Sequence, residues 1–175
     1  MLKKILIVLI VLIAAFGAVV AMQPADFRIE RSQRIAAAPE KIFPYLNNLK
    51  RGNEWSPFMK MEPNAKSTFE GPEAGVGAIT RWEGDKIGAG SMTIVESKPN
   101  ELVRSRLDFL KPMQATNTAD YTLRREGNET VVTWSMYGQN NFIGKAFNLV
   151  MNCDKMVGSE FENGLNNLKT IVEKK

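Results

Sequence analysis

The sequence predicts an α+β domain in which a curved antiparallel sheet of about seven strands wraps around a long C-terminal helix. One separate apolar helix precedes this domain. Three observations predict the architecture. Residues 5–22 form an unbroken apolar run, residues 67–136 repeat with the period of two that strands show, and residues 142–172 repeat with a helical period. Helices on one face of a single sheet give this order of elements one core.

The composition excludes several kinds of functional site. The chain of 175 residues has no histidine, which removes imidazole bases and histidine-ligated metal centres. Its single cysteine, Cys153, can form neither an internal disulfide nor a thiolate metal cage. The net charge is only +4, whereas nucleic-acid binding requires concentrated basic charge. We therefore expect no metal, no cofactor and no nucleic-acid partner.

Residues 1–22 are expected to lie outside the folded domain. The uncharged run 5–22 would rise about 27 Å as a helix, close to the roughly 30 Å hydrocarbon thickness of a bilayer. A cleavable signal usually has a shorter apolar stretch of about 7–15 residues, and Val19-Val20-Ala21 is an imperfect cleavage site. A transmembrane anchor is therefore favoured over a cleaved signal segment. A buried core helix is disfavoured because no side of the run is polar.

The charges that flank this run predict its orientation. Lys3 and Lys4 precede it and would stay in the cytoplasm. Three arginines follow it, but they alternate within a predicted strand and so belong to the folded domain. We expect a single-pass protein with its domain on the extracytoplasmic, periplasmic side of a bacterial-type envelope. Residues 23–26 would be a linker and 27–175 one domain.

The first elements of that domain are a strand and a short helix. Residues 27–35 alternate as a strand does. Pro39 suits the first position of a helix, and Glu40 is favourable near its positive end. Pro44 should kink or shorten this helix because it removes a backbone donor. The polar stretch 47–54 then leads to Trp55.

The remaining strands each show one mainly apolar face, as in an antiparallel sheet covered on one side. They are predicted at 67–70, 76–83, around Met92 and Ile94, and at 103–109, 115–124 and 132–136. A helical stripe follows, formed by Val157, Phe161, Leu165, Leu168 and Val172.

Two glycines interrupt the long helix on the side that should face the sheet. Gly158 and Gly164 each cost about 1 kcal/mol relative to alanine in a helix interior. Two interpretations stay open. The missing side chains allow the helix to pack closely on the sheet, or they leave room for a ligand.

Several segments occur in an order that resembles the SRPBCC (START-like, polyketide cyclase/dehydrase) superfamily. They are Ile35 to Phe43, Trp55-Ser56-Pro57, Trp82-Glu83-Gly84, Val132 to Met136, Lys155 to Gly158 and Phe161 to Lys169. The resemblance covers nearly all of the chain from Phe27 onward. It implies the helix-grip fold, with an apolar cavity between sheet and helix. It does not imply one activity, because the superfamily includes lipid carriers, hormone and pigment binders, cyclases and chaperone activators.

The predicted ligand-binding residues lie on the inward faces of the strands and the long helix. They are Trp82, Met92, Ile94, Leu107, Phe109, Asn117, Tyr121, Trp134, Met136, Phe161, Gly164 and Leu165. Such residues also fill ordinary cores, so simple packing is the alternative. Asn117 and Tyr121, with Ser105 and Thr80, could orient a ligand hydroxyl or carbonyl. Hydrogen bonds to backbone or buried water are the alternative for them.

No catalytic residue is predicted, because the acidic side chains fall on solvent-facing positions. Asp108 and Asp120 have outward parity, and Asp154, Glu160 and Glu162 resemble a solvated helix face.

The favoured function is a membrane-anchored, non-enzymatic domain that binds an apolar or amphipathic small molecule such as a lipid. One alternative is a cyclase or dehydratase that uses Tyr121 and Asn117, since such an enzyme needs a positioned acid and base. The other is a protein-interaction module of the chaperone-activator type, which would use outward residues such as Arg104 and Arg106.

Overall fold

The computed structural model describes residues 1–174 and contains one seven-stranded antiparallel sheet. The strand order is β1-β7-β6-β5-β4-β3-β2, and every neighbouring pair is antiparallel. The strands are β1 Asp26–Ile35, β2 Lys66–Glu70, β3 Ile79–Glu83, β4 Ala89–Lys98, β5 Leu102–Lys111, β6 Ala115–Glu126 and β7 Glu129–Gln139. The predicted α+β fold class is confirmed, with a long C-terminal helix packed on the sheet.

One helix precedes the sheet, three lie between its first two strands and two follow its last strand. They are α1 Leu2–Met22, α2 Pro39–Asn47, α3 Leu49–Trp55, α4 Pro57–Met61, α5 Phe142–Val150 and α6 Cys153–Glu173. Helix α2 begins at Pro39 as predicted and ends soon after Pro44. Within residues 1–174, α1 is the one helix long and apolar enough to span a membrane.

The sheet has two distinct ends. Asp26 pairs with Gln139, so β1 begins where β7 ends. The β3–β4 and β5–β6 turns lie at this same end, because each strand is antiparallel to its neighbours. Helix α1 ends at Met22, just before β1, and α5 begins just after β7. We call this the α1 end of the sheet, and the other the far end.

Aromatic side chains fill the space between α6 and the far half of the sheet. The ring of Trp134 on β7 stacks on Phe161 of α6, with centroids 4.0 Å apart and planes 7° apart. Trp55 meets the Trp134 ring edge-on at 5.4 Å. A Cβ built on Gly164 would lie 2.8 Å from Trp134 and 2.9 Å from Pro57, closer than real contacts allow. Gly164 therefore serves close packing, the first of the two interpretations that the sequence left open.

Most of the polar stretch 47–54, for which no structure was predicted, lies in helix α3. The Asn48 side chain caps it by accepting from the backbone N–H groups of Lys50 and Arg51. The indole of Trp55 donates to the carbonyl of Tyr45 at 3.1 Å, and Asn167 of α6 donates to the carbonyl of Trp55 at 3.1 Å. These bonds fix α3 between α2 and α6. The helix has fewer than ten residues and contains Gly52, so its sequence carries little periodic signal.

Helix α6 runs along β1, which lies at the edge of the sheet. Arg31 of β1 bonds Asp154 at 3.1 Å and Glu162 at 2.8 Å, and its guanidinium crosses the helix at Gly158. Asp154 and Glu162 remain exposed but pair with Arg31, so they are more than the solvated helix face that the sequence analysis expected. Gly158 is thus needed for the close approach of an arginine.

One predicted strand begins later than expected. The alternation placed residue 76 in a strand, but β3 starts at Ile79. Gly75 and Gly77 have φ values of +82° and +90°, in the region that favours glycine, and Val76 between them is exposed. The turn chemistry of the two glycines therefore overrides the alternation.

The packing of Gly164 can be tested with alanine. Gly164→Ala is expected to lower the free energy of unfolding by about 1–3 kcal/mol, because the new methyl group overpacks against Trp134 and Pro57. The matched control is Gly52→Ala in α3, where a Cβ would meet nothing within 4 Å. It should raise the free energy by up to about 1 kcal/mol through helix propensity. Urea unfolding of the full chain in mild detergent, followed by tryptophan fluorescence, measures both. A stabilised Gly164→Ala chain would show that the space beside this glycine is open.

Candidate ligand-binding groove

The concave face of the sheet is divided into two halves. Six of the predicted residues lie in its closed half: Ile94, Tyr121, Trp134, Phe161, Gly164 and Leu165, all buried. The other six lie nearer the α1 end: Trp82, Met92, Leu107, Phe109, Met136 and Asn117. Apart from Asn117, which is buried, each member of this second set is only half-buried. We call this second set the open half of the concave face.

The register brings the open half together from five neighbouring strands. Leu107 pairs with Met92 on one side and with Asn117 on the other, and Asn117 pairs with Gly138. Trp82 and Phe109 lie one row nearer the α1 end and meet edge-on, with centroids 5.9 Å apart.

Two glycines shape the floor of the open half. A Cβ on Gly90 would lie 2.5 Å from the Trp82 ring, so this ring lies flat across β4. A Cβ on Gly138 would collide with the carboxamide oxygen of Asn117. The Asn117 side chain therefore leans across β7 toward β1, over a position that only glycine leaves free.

Two buried polar atoms in this region have no hydrogen-bond partner among residues 1–174. They are Oδ1 of Asn117 and Oγ of Ser105. Asn117 pairs with Leu107 and Ser105 with Ala119, so the two side chains are diagonal neighbours on the same face. Leaving a buried polar group unpaired costs about 1–3 kcal/mol. The fold thus maintains two costly polar groups beside an apolar, half-open surface.

Tyr121 occupies a different environment. Its ring lies 5.7 Å from Trp55 and 5.3 Å from Trp134, inside the aromatic core. Burial raises the pKa of Tyr121 above its ordinary value. A phenol that resists ionisation this strongly is a poor general base near neutral pH.

A cleft of about 480 Å³ lies at the α1 end of β1, beside the junction of α5 and α6. Phe27 and Leu149 are among the residues that line it. Phe27 pairs with Gly138, and Gly138 pairs with Asn117. The cleft therefore adjoins the line of paired residues across β1, β7 and β6 that contains Asn117. These lining residues are not among those predicted from the sequence. The inward parity of Phe27 in β1 could have identified it. The helical repeat of α5 includes Val150, but no pattern in the sequence places that helix beside β1. A second cleft of about 210 Å³ lies at the far end, between α3 and the β2–β3 connection.

A carboxylate just after α4 fixes the edge of the open half next to Trp82. Glu62 accepts hydrogen bonds from the backbone N–H groups of Asp85 and Lys86, each at 2.9 Å. These bonds hold the pKa of Glu62 below its ordinary value. They tie the β3–β4 turn, next to Trp82, to the segment that follows α4.

Arg104 and Arg106 on the convex face form ion pairs with carboxylates of the same sheet. Arg104 bonds both carboxylate oxygens of Asp120 at 2.9 Å and also Glu96 at 2.9 Å. The hydrogen bond with Asp120 raises the pKa of Arg104. Asp120 faces outward as predicted, yet it is buried beneath these partners. Arg106 bonds Asp108 at 2.8 Å.

The part of the chain that the structure describes contains no set of side chains suited to bind a metal ion. No group of three or more histidine, cysteine, aspartate or glutamate side chains there could hold an ion. Cys153 is half-buried, and burial raises the pKa of its thiol, which keeps it protonated.

The comparisons with known proteins agree with the fold. Residues 26–173 match the family model described as polyketide cyclase / dehydrase and lipid transport. No curated protein matches the chain. Among solved structures, protein MLL2253 from Mesorhizobium loti aligns with a TM-score of 0.62 at 13% identity, covering 84% of this chain and 97% of that one.

Two further solved structures show the same likeness. The Aha1 dimer from Colwellia psychrerythraea gives a TM-score of 0.59 at 17% identity, over 84% of this chain and 96% of that one. CalU16 from Micromonospora echinospora gives 0.55 at 13% identity, over 87% of each chain. At these identities the likeness establishes the fold alone.

The unpaired polar atoms lead to a prediction about stability. Asn117→Leu and, separately, Ser105→Ala are expected to raise the free energy of unfolding of the ligand-free chain by about 1 kcal/mol or more, because each removes a buried group without a partner. Urea unfolding measures the change. Asn163→Leu, on the exposed side of α6, is the control and should stay within about 0.5 kcal/mol of the parent. If both groove substitutions destabilise the chain, Asn117 and Ser105 are structural.

Proposed function

Because the chain belongs to the polyketide cyclase / dehydrase and lipid transport family, we propose that it binds an apolar or amphipathic small molecule, such as a lipid, in the open half of the concave face. We further propose that α1 holds this domain at a membrane. The observation that carries the binding proposal is the division of the concave face. Its closed half, toward the far end, is filled by aromatic packing. Its open half, toward the α1 end, brings five half-buried apolar side chains together.

The chemistry of the open half favours a ligand with one polar group. Trp82, Leu107 and Phe109 offer apolar surface, and its burial by a ligand contributes about 25 cal/mol per Å² before the costs of association. Asn117 in the open half and Ser105, at its border with the closed half beside Ile94, supply the polar contacts, since each has a buried oxygen without a partner among residues 1–174. A ligand hydroxyl that donates to these oxygens would remove their desolvation cost, so it would be preferred over a plain hydrocarbon.

The two alternative functions have less support. A cyclase or dehydratase that used Tyr121 would rely on a phenol locked into the aromatic core, with its pKa raised by burial. An interaction module that used Arg104 and Arg106 would have to break their bonds to Asp120 and Asp108. Both alternatives therefore require rearrangements that ligand binding at the open half does not.

The membrane proposal is supported by how α1 meets the domain. Val20 is buried, whereas most of the helix before it is exposed and apolar. A cleaved signal would not contribute a buried side chain to the mature protein, so this packing favours a retained anchor. Lys3 and Lys4 before the helix favour an extracytoplasmic, periplasmic domain.

Native mass spectrometry of the full chain, released from mild detergent, tests the binding proposal. The parent is expected to carry an amphipathic molecule in a 1:1 ratio. Leu107→Trp should lower the occupancy at least tenfold, because the larger ring fills the open half. Val95→Trp is the matched control, since it places the same ring at an exposed position away from the groove, and it should keep the ligand. Equal occupancy in both variants, or a parent that carries nothing and takes up no added palmitate, would contradict the proposal.

Proteolysis of spheroplasts tests the anchor and its orientation. Proteinase K added outside is expected to degrade the domain while a cytoplasmic marker survives. The peptide that contains Met1 should stay with the membrane after carbonate extraction. A domain that resists digestion until lysis would place it in the cytoplasm, and loss of the N-terminal peptide would show cleavage.

A further inference from the structure

We propose that α5 and the tip of the β5–β6 hairpin form a docking surface that lies in the surface of a phospholipid bilayer, so that the open half of the groove exchanges its ligand directly with the membrane. This inference rests on the proposed anchoring by α1. We call this surface the docking rim. It consists of residues 142–151 together with Leu110 and Met113.

The docking rim is unusually exposed for an apolar surface. Ile143, Phe147 and Val150 are spaced as one side of a helix, and their exposed fractions are 62%, 43% and 71%. No residue of α5 is buried. On the neighbouring hairpin Leu110 is 57% exposed. Exposed apolar surface of this extent on a folded domain marks an interaction site.

The position of α5 beside α1 identifies a bilayer as the occupant. Helix α5 packs against α1, and the backbone N–H of Asn140, just before α5, donates to the carbonyl of Ala25 at 2.8 Å. Residues 23–25 join α1 to β1 and can span only about 10 Å when extended. If α1 crosses the membrane, the start of α5 must lie close to its surface, and the contacts between α5 and α1 keep the helix beside the anchor. An amphipathic helix held there buries its apolar side among the lipids.

The docking rim and the open half lie at the same end of the sheet. Phe109, which contacts Trp82 in the open half, and Leu110 of the docking rim are consecutive residues at the α1 end of β5, although neighbours along a strand point to opposite faces. Leu149 and Val150 of α5 line the cleft that also contains Phe27. A ligand that entered from the lipid phase by way of this cleft would not have to cross water.

Site-specific fluorescence in vesicles of phosphatidylcholine and phosphatidylglycerol tests the proposal. The full chain carries Cys153→Ser and one new cysteine, labelled with the fluorophore nitrobenzoxadiazole. Ile143→Cys and Leu110→Cys report on the docking rim, Ala15→Cys on α1, and Asn128→Cys on the exposed β6–β7 turn at the far end. Lipids with a nitroxide on the acyl chain quench a label that lies in the bilayer. We expect quenching at the two rim positions to be at least threefold greater than at Asn128.

A pair of matched double variants tests whether apolar side chains hold the docking rim in place. Ile143→Gln with Val150→Gln should at least halve the quenching of the label at Leu110. Val76→Gln with Val95→Gln removes two exposed valines away from the α1 end and should leave it unchanged.

The outcomes separate this inference from the proposed function. Quenching at Ala15 with none above background at the rim would overturn the docking rim and leave the anchor intact. No quenching at Ala15 would overturn the anchor and with it the docking rim. The binding proposal would be unaffected, because native mass spectrometry tests it separately. A rim label that is shielded from water but not quenched would indicate a protein partner and would also overturn the proposal.

Discussion

The stacking of Trp134 on Phe161 is the contact on which the rest of the structure depends. It sets the distance between α6 and the sheet, and Gly164 allows that distance because any side chain there would strike Trp134 and Pro57. Trp55 closes the cluster from the side and is held by hydrogen bonds to both α2 and α6. The helix is thus fixed tightly over the far half of the sheet, and the apolar surface toward the α1 end remains less covered.

This arrangement separates stability from binding within one concave face. The far half contains the large, fully buried side chains, which supply most of the hydrophobic stabilisation. The open half can then keep features that weaken a fold, such as the unpaired oxygen of Asn117 and the half-buried Leu107, with the unpaired oxygen of Ser105 at its border. Gly138 belongs to the same pattern, since it provides no packing of its own and gives space to Asn117.

The sequence was sufficient for the fold but only for part of the groove. Alternation in β5 and β6 assigned Leu107, Asn117 and Tyr121 correctly to one face, because strand parity is a local property. Parity cannot reveal what lies above a face. Whether Gly164 leaves space depends on Trp55 and Pro57, which lie more than a hundred residues earlier in the chain. The cleft beside Phe27 likewise depends on how α5 returns to β1, a tertiary contact without a periodic signal.

The proposed anchor gives a physical reason for a groove that is only half closed. A carrier that moves an apolar ligand through water must enclose it, because any ligand surface left exposed keeps its hydration cost. If α1 spans the membrane, the domain has no such journey to make, because residues 23–25 would hold the α1 end beside the lipid. Phe109 and Trp82 can then remain half-buried without cost to a bound ligand, because the bilayer itself would cover the groove. On this view, the protein covers one part of the groove and the membrane covers the rest.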